Sequence, residues 1–204
     1  MPAKGGRYHH GDLRSALVEA AIVVIAERGV RDFSMAEASR RLGVTTAAPY
    51  RHFADRDELL AAVAIRALSV FAAMLSGAAD AAEVPARGLA AMAGAYVRFA
   101  AQQRPLFDTL FNSGLDKTRH PELQRAWEPV DALLTAVVLE VCGGDAAEAD
   151  ALGDAIEASA HGYAMLLTDG EYGEGPDAVS ATADRAIASA RALIAGRQAL
   201  RDPA

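Results

Sequence analysis

The segment from Ser34 to Phe53 constrains the fold more than any other part of this sequence. Ser34-Met35-Ala36-Glu37 has the S-x-x-E pattern of a capping box, in which the serine hydroxyl and the glutamate carboxylate each accept a backbone N–H of the first helical turn. Gly43-Val44 then interrupts the helical pattern, and a second short run extends to Phe53. The spacing predicts two short helices, over 34–42 and 45–53, joined by a tight turn.

A longer amphipathic pattern precedes this pair, because Leu13, Leu17 and Val24 recur at helical spacing between Asp12 and Gly29. A long helix that braces two short ones is the layout of a helix-turn-helix, in which the second short helix enters the major groove of DNA. Pro49 is tolerated in the first turn of that helix, where no intrahelical amide is lost. The outward positions that could read base edges are Thr45, Thr46, Ala47 and Arg51.

The rest of the chain favours an all-α fold. It is rich in Ala, the best helix former, and poor in segments with the residue types enriched in strands. Prolines at positions 85, 105, 121 and 176 each suit the first turn of a helix. Further helices are predicted over about 55–77, 85–103, 105–112, 121–142, 146–168 and 177–199, with a kink at Pro129. We expect about nine helices, arranged as a three-helix helix-turn-helix domain over 1–55 and a helical bundle over 56–204.

Charge and cysteine content narrow the class of protein. The net charge is −7, but residues 1–66 hold ten Lys and Arg against eight Asp and Glu, whereas residues 67–204 hold ten against nineteen. The basic excess therefore lies where phosphate contacts would be made. Cys142 is the single cysteine, so an intramolecular disulfide and a thiolate metal cluster are both excluded. His9-His10 has no third ligand at a sensible spacing, and we expect no metal and no cofactor.

Hydropathy argues against a membrane protein. The longest stretch without a charge, 67–79, is shorter than the roughly 20 apolar residues of a membrane span. No apolar run follows Lys4 and Arg7, so the N-terminus does not have the pattern of a signal peptide. A cytoplasmic location is therefore expected.

The run LGVTTAAPYRHFADRDELL at 42–60 resembles the signature of the TetR (tetracycline-repressor) family, and the resemblance covers about residues 12–64. It implies that Ser34 caps a helix whose N-terminus faces the DNA backbone and that Tyr50 places its hydroxyl on a phosphate. Arg56 stands where the family usually has a phosphate-binding Lys. Lys4 and Arg7 on the N-terminal arm would add phosphate or minor-groove contacts.

Two further motifs resemble one subgroup of that family. These are the opening from Tyr8 to Arg14 and the pair His161-Gly162, followed by Asp169-Gly170. Glu157 departs from the subgroup, which often has Trp at that position.

The C-terminal half holds the candidates for a ligand pocket. Aromatic residues make up only 6% of the chain, and many of them collect between positions 96 and 127. Large residues at helical spacing usually fill a core, but the family resemblance implies a small-molecule effector. The candidate pocket residues are Met92, Tyr96, Phe99, Phe107, Leu110, Phe111 and Trp127.

Two-fold recognition of double-stranded DNA requires two reading helices about 34–36 Å apart, which predicts a homodimer on a palindromic operator. Small residues on the last two helices suit a close contact between two identical surfaces. The candidate interface residues are Ala155, Ala158, His161, Gly162, Ile187, Ala190 and Ile194.

These observations favour a sequence-specific DNA-binding transcriptional regulator, and specifically a repressor released from its operator by a small molecule. An enzyme is not expected, because the sequence contains no Ser-His-Asp motif, Gly-rich phosphate loop or paired metal ligands. Two alternatives stay open. One is a DNA-binding regulator that needs no effector, and the other is a helical carrier or enzyme that does not act on DNA.

Overall fold

Eight α-helices and three short 3-10 helices make up residues 10–200, which are the residues that the computed structural model describes. No strand occurs within this range, and the predicted all-α class is confirmed. The α-helices are α1 (His10–Arg28), α2 (Met35–Arg41), α3 (Arg56–Asp80), α4 (Pro85–Gln102), α5 (Arg104–Phe111), α6 (Pro121–Val141), α7 (Ala146–Thr168) and α8 (Gly175–Ala195). The 3-10 helices are Pro49–Arg51, Lys117–Arg119 and Arg197–Leu200.

Helices α1 and α2 form the N-terminal unit with the start of α3. α1 is followed by Gly29, whose φ of +81° lies in the left-handed region that glycine adopts without strain. The turn after α2 requires the same freedom, since Gly43 has a φ of +67°. The faces that meet between these elements are fully buried and include Leu17, Val24 and Ala38.

Helix α3 is shared by the N-terminal unit and the C-terminal bundle. Asp55 caps its start, with the side chain accepting the Glu58 N–H at 2.9 Å, while the Glu58 carboxylate reaches back to accept the Ala54 N–H. Near its start Leu59 is fully buried, and further along Phe71 packs on Phe99 of α4 with ring centroids 4.9 Å apart. α3 is also long and apolar enough to cross a membrane by composition. However, 56% of its most apolar window is buried inside the protein, as expected of a core helix.

The C-terminal helices begin at or next to the prolines that predicted their first turns. Pro85, Pro105, Pro121 and Pro176 all lie in the first turns of their helices. α4 packs against α3, α7 and α8. α6 continues through Pro129, whose ring is exposed, and the kink expected there stays a prediction.

Candidate functional site

The predicted second helix of the helix-turn-helix is shorter and tighter than the sequence suggested. Residues 45–48 form a turn, and only Pro49–Arg51 is helical, as a 3-10 helix. Pro49 explains the difference, because it has no N–H to donate to the Thr45 carbonyl. That carbonyl instead accepts the Ala48 N–H at 3.0 Å, which is a 3-10 rather than an α spacing. The expectation of an α-helix over 45–53 was therefore wrong.

This segment still presents the side chains that the sequence assigned to DNA. Thr45, Thr46, Ala47 and Arg51 are all exposed, and the Tyr50 side chain is 60% exposed. The opposite side of the segment is fixed to the protein.

That fixed side consists of Pro49, which is buried, and Phe53, which is 1% exposed. The Arg14 guanidinium of α1 covers the Phe53 ring at 5.0 Å from its centroid. The buried side of the segment is thus packed against the protein, and its small and hydroxyl side chains remain exposed to a partner. We call residues 45–51 the reading segment.

Ser34 occupies the N-cap of α2, but the predicted capping box there is absent. The serine side chain is exposed and makes no hydrogen bond to the first turn. Glu37 pairs instead with two arginines, Arg28 of α1 at 3.3 Å and Arg40 one turn further along α2. A charged guanidinium is a stronger donor to a carboxylate than the serine N–H, so Glu37 ties α2 to α1 rather than to its own N-cap.

The Arg56 side chain points further into the protein than a phosphate-binding role implies. Its Nη2 donates to the Val30 carbonyl at 2.7 Å and its Nε donates to the Phe33 carbonyl at 3.2 Å. Its guanidinium also lies 5.8 Å from the centroid of the Phe33 ring. Arg56 therefore fastens the α1–α2 connection to the start of α3. Lys4 and Arg7 lie outside the described residues.

A cavity of about 280 Å³ opens between α3, α4, α6 and α7. Its floor is apolar and its mouth is polar. Of the pocket residues predicted from the sequence, four line it: Met92, Tyr96, Phe111 and Trp127. The other three, Phe99, Phe107 and Leu110, do not line this cavity and are buried in the core beside it.

The aromatic residues next to the cavity form one continuous cluster around His161. The Tyr96 hydroxyl lies 2.9 Å from His161 Nδ1, and the imidazole packs against Phe107 and Phe111 with centroids 5.9 and 5.0 Å away. Burial, reinforced by the charge of Glu157, raises the pKa of the Tyr96 phenol far above its usual value. The phenol therefore stays protonated and can donate to the imidazole.

Sequence reasoning missed the acidic residues at the cavity mouth. They are Asp131 of α6 and Asp150, Asp154 and Glu157 of α7, and all four are exposed. The spacing of the last three, at i, i+4 and i+7, places them along one side of a helix. That pattern was visible in the sequence, but a solvated acidic helix face has the same spacing. Within residues 10–200, no group of three or more His, Cys, Asp or Glu is arranged to hold a metal ion.

The candidate dimer residues divide into two groups. Ala158 is exposed, Ala155 and Gly162 are half-buried, and the space beside Gly162 is open. The candidate residues on α8 face inward instead. Ala190 is 1% and Ile194 9% exposed, and Ile187 packs on Gly94 of α4.

His161 also faces inward, toward Tyr96. The α8 side chains predicted for the interface are thus engaged within the protomer. The open surface of α8 is the opposite side of the helix.

Two family models match this chain. Residues 17–63 match the bacterial regulatory proteins of the tetR family, and residues 89–190, half of the chain, match the tetracyclin repressor-like C-terminal domain. The first match contains α2, its turn and the reading segment. The second contains most of the cavity wall. None of the curated proteins compared with the chain gives a match.

Solved structures share the fold along most of its length. A protein of unknown function from Rhodococcus sp. RHA1 is 30% identical, with a TM-score of 0.70, over 90% of this chain and 98% of its own. PfmR, a TetR family transcriptional regulator from Thermus thermophilus, is 21% identical with a TM-score of 0.61, over 84% and 97%. RolR, solved in complex with resorcinol, is 22% identical with a TM-score of 0.61, over 90% and 93%.

The exposed reading segment, the helix-turn-helix that carries it and the match over half of the chain agree with one another. The resemblance noted in the sequence is confirmed at the level of the family, while the subgroup stays a prediction. This chain belongs to the TetR family and is a DNA-binding transcriptional regulator.

Proposed function

We propose that this regulator is a repressor that binds a palindromic operator as a homodimer and is released by a small molecule held in the cavity. The observation that carries the proposal is the path of α3. Its first residue, Arg56, is fastened to the helix-turn-helix through the Val30 and Phe33 carbonyls, and its later residues Phe71 and Leu75 line the cavity. At 1.5 Å per residue, about 28 Å of one helix separates Arg56 from Leu75.

A rigid helix that contacts both sites can couple them. A ligand that fits the cavity in only one arrangement of α3 and α4 favours that arrangement, and α3 carries the displacement to the helix-turn-helix. The ligand shifts the equilibrium only by the difference in its affinity for the two states. Because a dimer must present two reading segments at a fixed spacing, a small rotation of α3 is enough to lower operator affinity.

We place the dimer contact on the open sides of α7 and α8. On α7 this surface contains Ala158, Gly162 and Leu166, and Leu166 is 42% exposed although it is large and apolar. On α8 it contains Ala181, Ala188 and Ala192, all exposed. Small side chains on both helices permit a close approach of two copies. Light scattering of the purified protein should give twice the protomer mass, and Leu166→Glu should halve it.

The first experiment is selection of bound sequences from random duplex DNA, followed by anisotropy titrations at several salt concentrations. A palindromic consensus with half-sites one helical turn apart, nanomolar affinity and a steep salt dependence supports the proposal. Weak binding without an enriched sequence overturns it and favours a helical carrier or enzyme.

A ligand screen against the operator complex tests the effector. RolR was solved with resorcinol, so small aromatic compounds belong in the first set. Release of the operator by any compound that binds in the cavity supports the switch. An operator complex that is unchanged by every cavity-binding compound favours an effector-independent regulator. A reporter gene behind the selected operator gives the sign of regulation, and activation in the absence of ligand would exclude repression.

A further inference from the structure

The wall of the cavity combines two kinds of side chain that recognise the same class of ligand. One side is aromatic and is formed by Phe71, Tyr96, Phe111 and Trp127. Their rings meet at angles, with Phe71 edge-on to Tyr96 at 5.0 Å between centroids and Phe111 edge-on to Trp127 at 6.2 Å. The faces of such rings carry partial negative charge and attract cations.

The other side is acidic. Asp131, Asp150, Asp154 and Glu157 line the mouth, and none of them takes part in an ion pair within residues 10–200. Among the described residues that line the cavity there is no Lys, Arg or His. Four carboxylates without an ion pair outnumber the one cation near this wall, Lys117, and give the mouth a negative potential, which attracts a cation and repels an anion.

One contact at Trp127 shows that its ring accepts a cation. Lys117 Nζ lies 4.5 Å from the centroid of its ring, so one cation of the protein already uses this indole.

We propose that the cavity binds an organic cation, namely a protonated or quaternary amine on an apolar body that fits a space of about 280 Å³. The apolar body lies among the aromatic rings, and the ammonium group lies toward the carboxylates of α6 and α7. The claim that this cation is the effector rests on the proposed function. The claim that the cavity binds an organic cation depends only on the residues that line the cavity.

Trp127 is the single tryptophan of the chain, so intrinsic fluorescence reports on the cavity wall without a label. We would titrate the full-length protein, without DNA, with three probes of similar size: benzyltrimethylammonium, N,N-dimethylbenzamide and 3-phenylpropionate. They carry a positive charge, no charge and a negative charge. The cation should bind at least tenfold more tightly than either of the others, and its affinity should fall as salt is added.

The carboxylates are tested with a matched pair of double variants. Asp154→Asn with Glu157→Gln removes two charges from the mouth and should weaken binding of the cation about tenfold. Glu128→Gln with Glu140→Gln removes the same net charge from exposed positions of α6 that do not line the cavity, and should leave binding unchanged. All these positions are exposed, so the variants are expected to fold.

The inference is overturned if the amide or the carboxylate probe binds as tightly as the cation, or if both double variants behave alike. Operator release separates it from the proposed function. A cation that quenches Trp127 but leaves the operator bound supports the ligand class and contradicts the switch. An anion that quenches Trp127 and releases the operator contradicts the ligand class and supports the switch.

Discussion

The hydroxyl of Tyr96 lies 2.9 Å from Nδ1 of His161, and this hydrogen bond joins α4 to α7 at the edge of the cavity. The two residues are 65 positions apart in the sequence. Because Tyr96 is also part of the cavity wall, one side chain contributes both to the packing of the bundle and to the surface a ligand would meet.

Tyr96→Phe should therefore lower the free energy of unfolding by about 1 kcal/mol, since it leaves the half-buried imidazole nitrogen without its partner. Tyr50→Phe removes an equivalent hydroxyl from an exposed ring and should change stability by less than about 0.5 kcal/mol. Urea unfolding of both variants makes the comparison. Equal stabilities would show that the Tyr96–His161 bond contributes nothing net.

Tyr50→Phe should act on DNA instead. If the hydroxyl lies on a phosphate, its loss should weaken binding to the selected operator and to unrelated DNA by the same factor, because phosphate contacts carry no sequence information. Thr46→Val, in contrast, should alter the order of preference among operator variants. Anisotropy titrations against a panel of duplexes separate the two patterns. Unchanged binding by both variants would show that the reading segment does not contact DNA.

Arg56→Lys distinguishes the phosphate role implied by the sequence from the fastening role in the structure. A Lys keeps the charge but cannot donate to the Val30 and Phe33 carbonyls through one planar group. We expect the variant to lose about 1 kcal/mol of stability, with operator affinity falling as the helix-turn-helix loosens. Arg40→Lys, on an exposed side chain, is the control for the charge. Full stability and full affinity of Arg56→Lys would favour the phosphate role.

Gly94→Ala tests the contact between α4 and α8. A Cβ at this position would lie 2.7 Å from Ile187 Cδ1 and 2.8 Å from its Cγ1, closer than carbon atoms approach. Overpacking of this kind costs about 1–3 kcal/mol, which exceeds the gain of replacing a helical glycine. Gly77→Ala, where nothing lies within 4 Å, should instead stabilise by about 0.5–1 kcal/mol.

Ile187→Ala completes a double-mutant cycle for this contact. Combined with Gly94→Ala it should destabilise less than the two single changes predict together, because the smaller side chain makes room for the new methyl. Strict additivity would mean that α8 simply moves away.

Cys142 gives a prediction for alkaline pH. Burial, reinforced by the charge of Glu148, raises the pKa of its thiol. The unfolded chain then releases this proton at a lower pH than the native protein, so the contribution to stability is present at neutral pH and is lost as pH rises above the ordinary thiol pKa of about 8.5. Between pH 7 and pH 10 the parent protein should lose more stability than Cys142→Ala. Parallel losses would contradict the shift.

Helix positions could be predicted well where local chemistry decides them. α7 was expected over 146–168 and is found at Ala146–Thr168, because Asp145 accepts the Glu148 N–H at 3.1 Å and so defines the start. The expected 85–103 became Pro85–Gln102 for a similar reason, with a proline that favours the first turn. Caps and prolines act within one helical turn, so their effect can be predicted from the neighbouring residues of a single sequence.

Arrangements that depend on distant elements could not be predicted in the same way. The sequence does not show that Ile187 meets Gly94, so the side of α8 that packs within the protomer could not be told from the side that is open. Glu37 could cap its own helix or pair with Arg28, and only the crossing of α1 and α2 decides between them. In the cavity, four aromatic or apolar residues could be named in advance, whereas the acidic mouth depends on how α6 and α7 face each other.

Three arginines of α1 and α2 already have partners in the protein without DNA. Glu37 holds Arg28 and Arg40, and Glu27 holds Arg41. A phosphate that approaches Arg40 must displace a carboxylate of the same chain rather than a mobile salt ion. Because Glu27 and Glu37 already neutralise these arginines, fewer salt ions are released when DNA binds, and we expect a weaker attraction to arbitrary DNA. We expect this to shorten the time spent at unrelated sites and to leave the selection of a site to contacts with the bases.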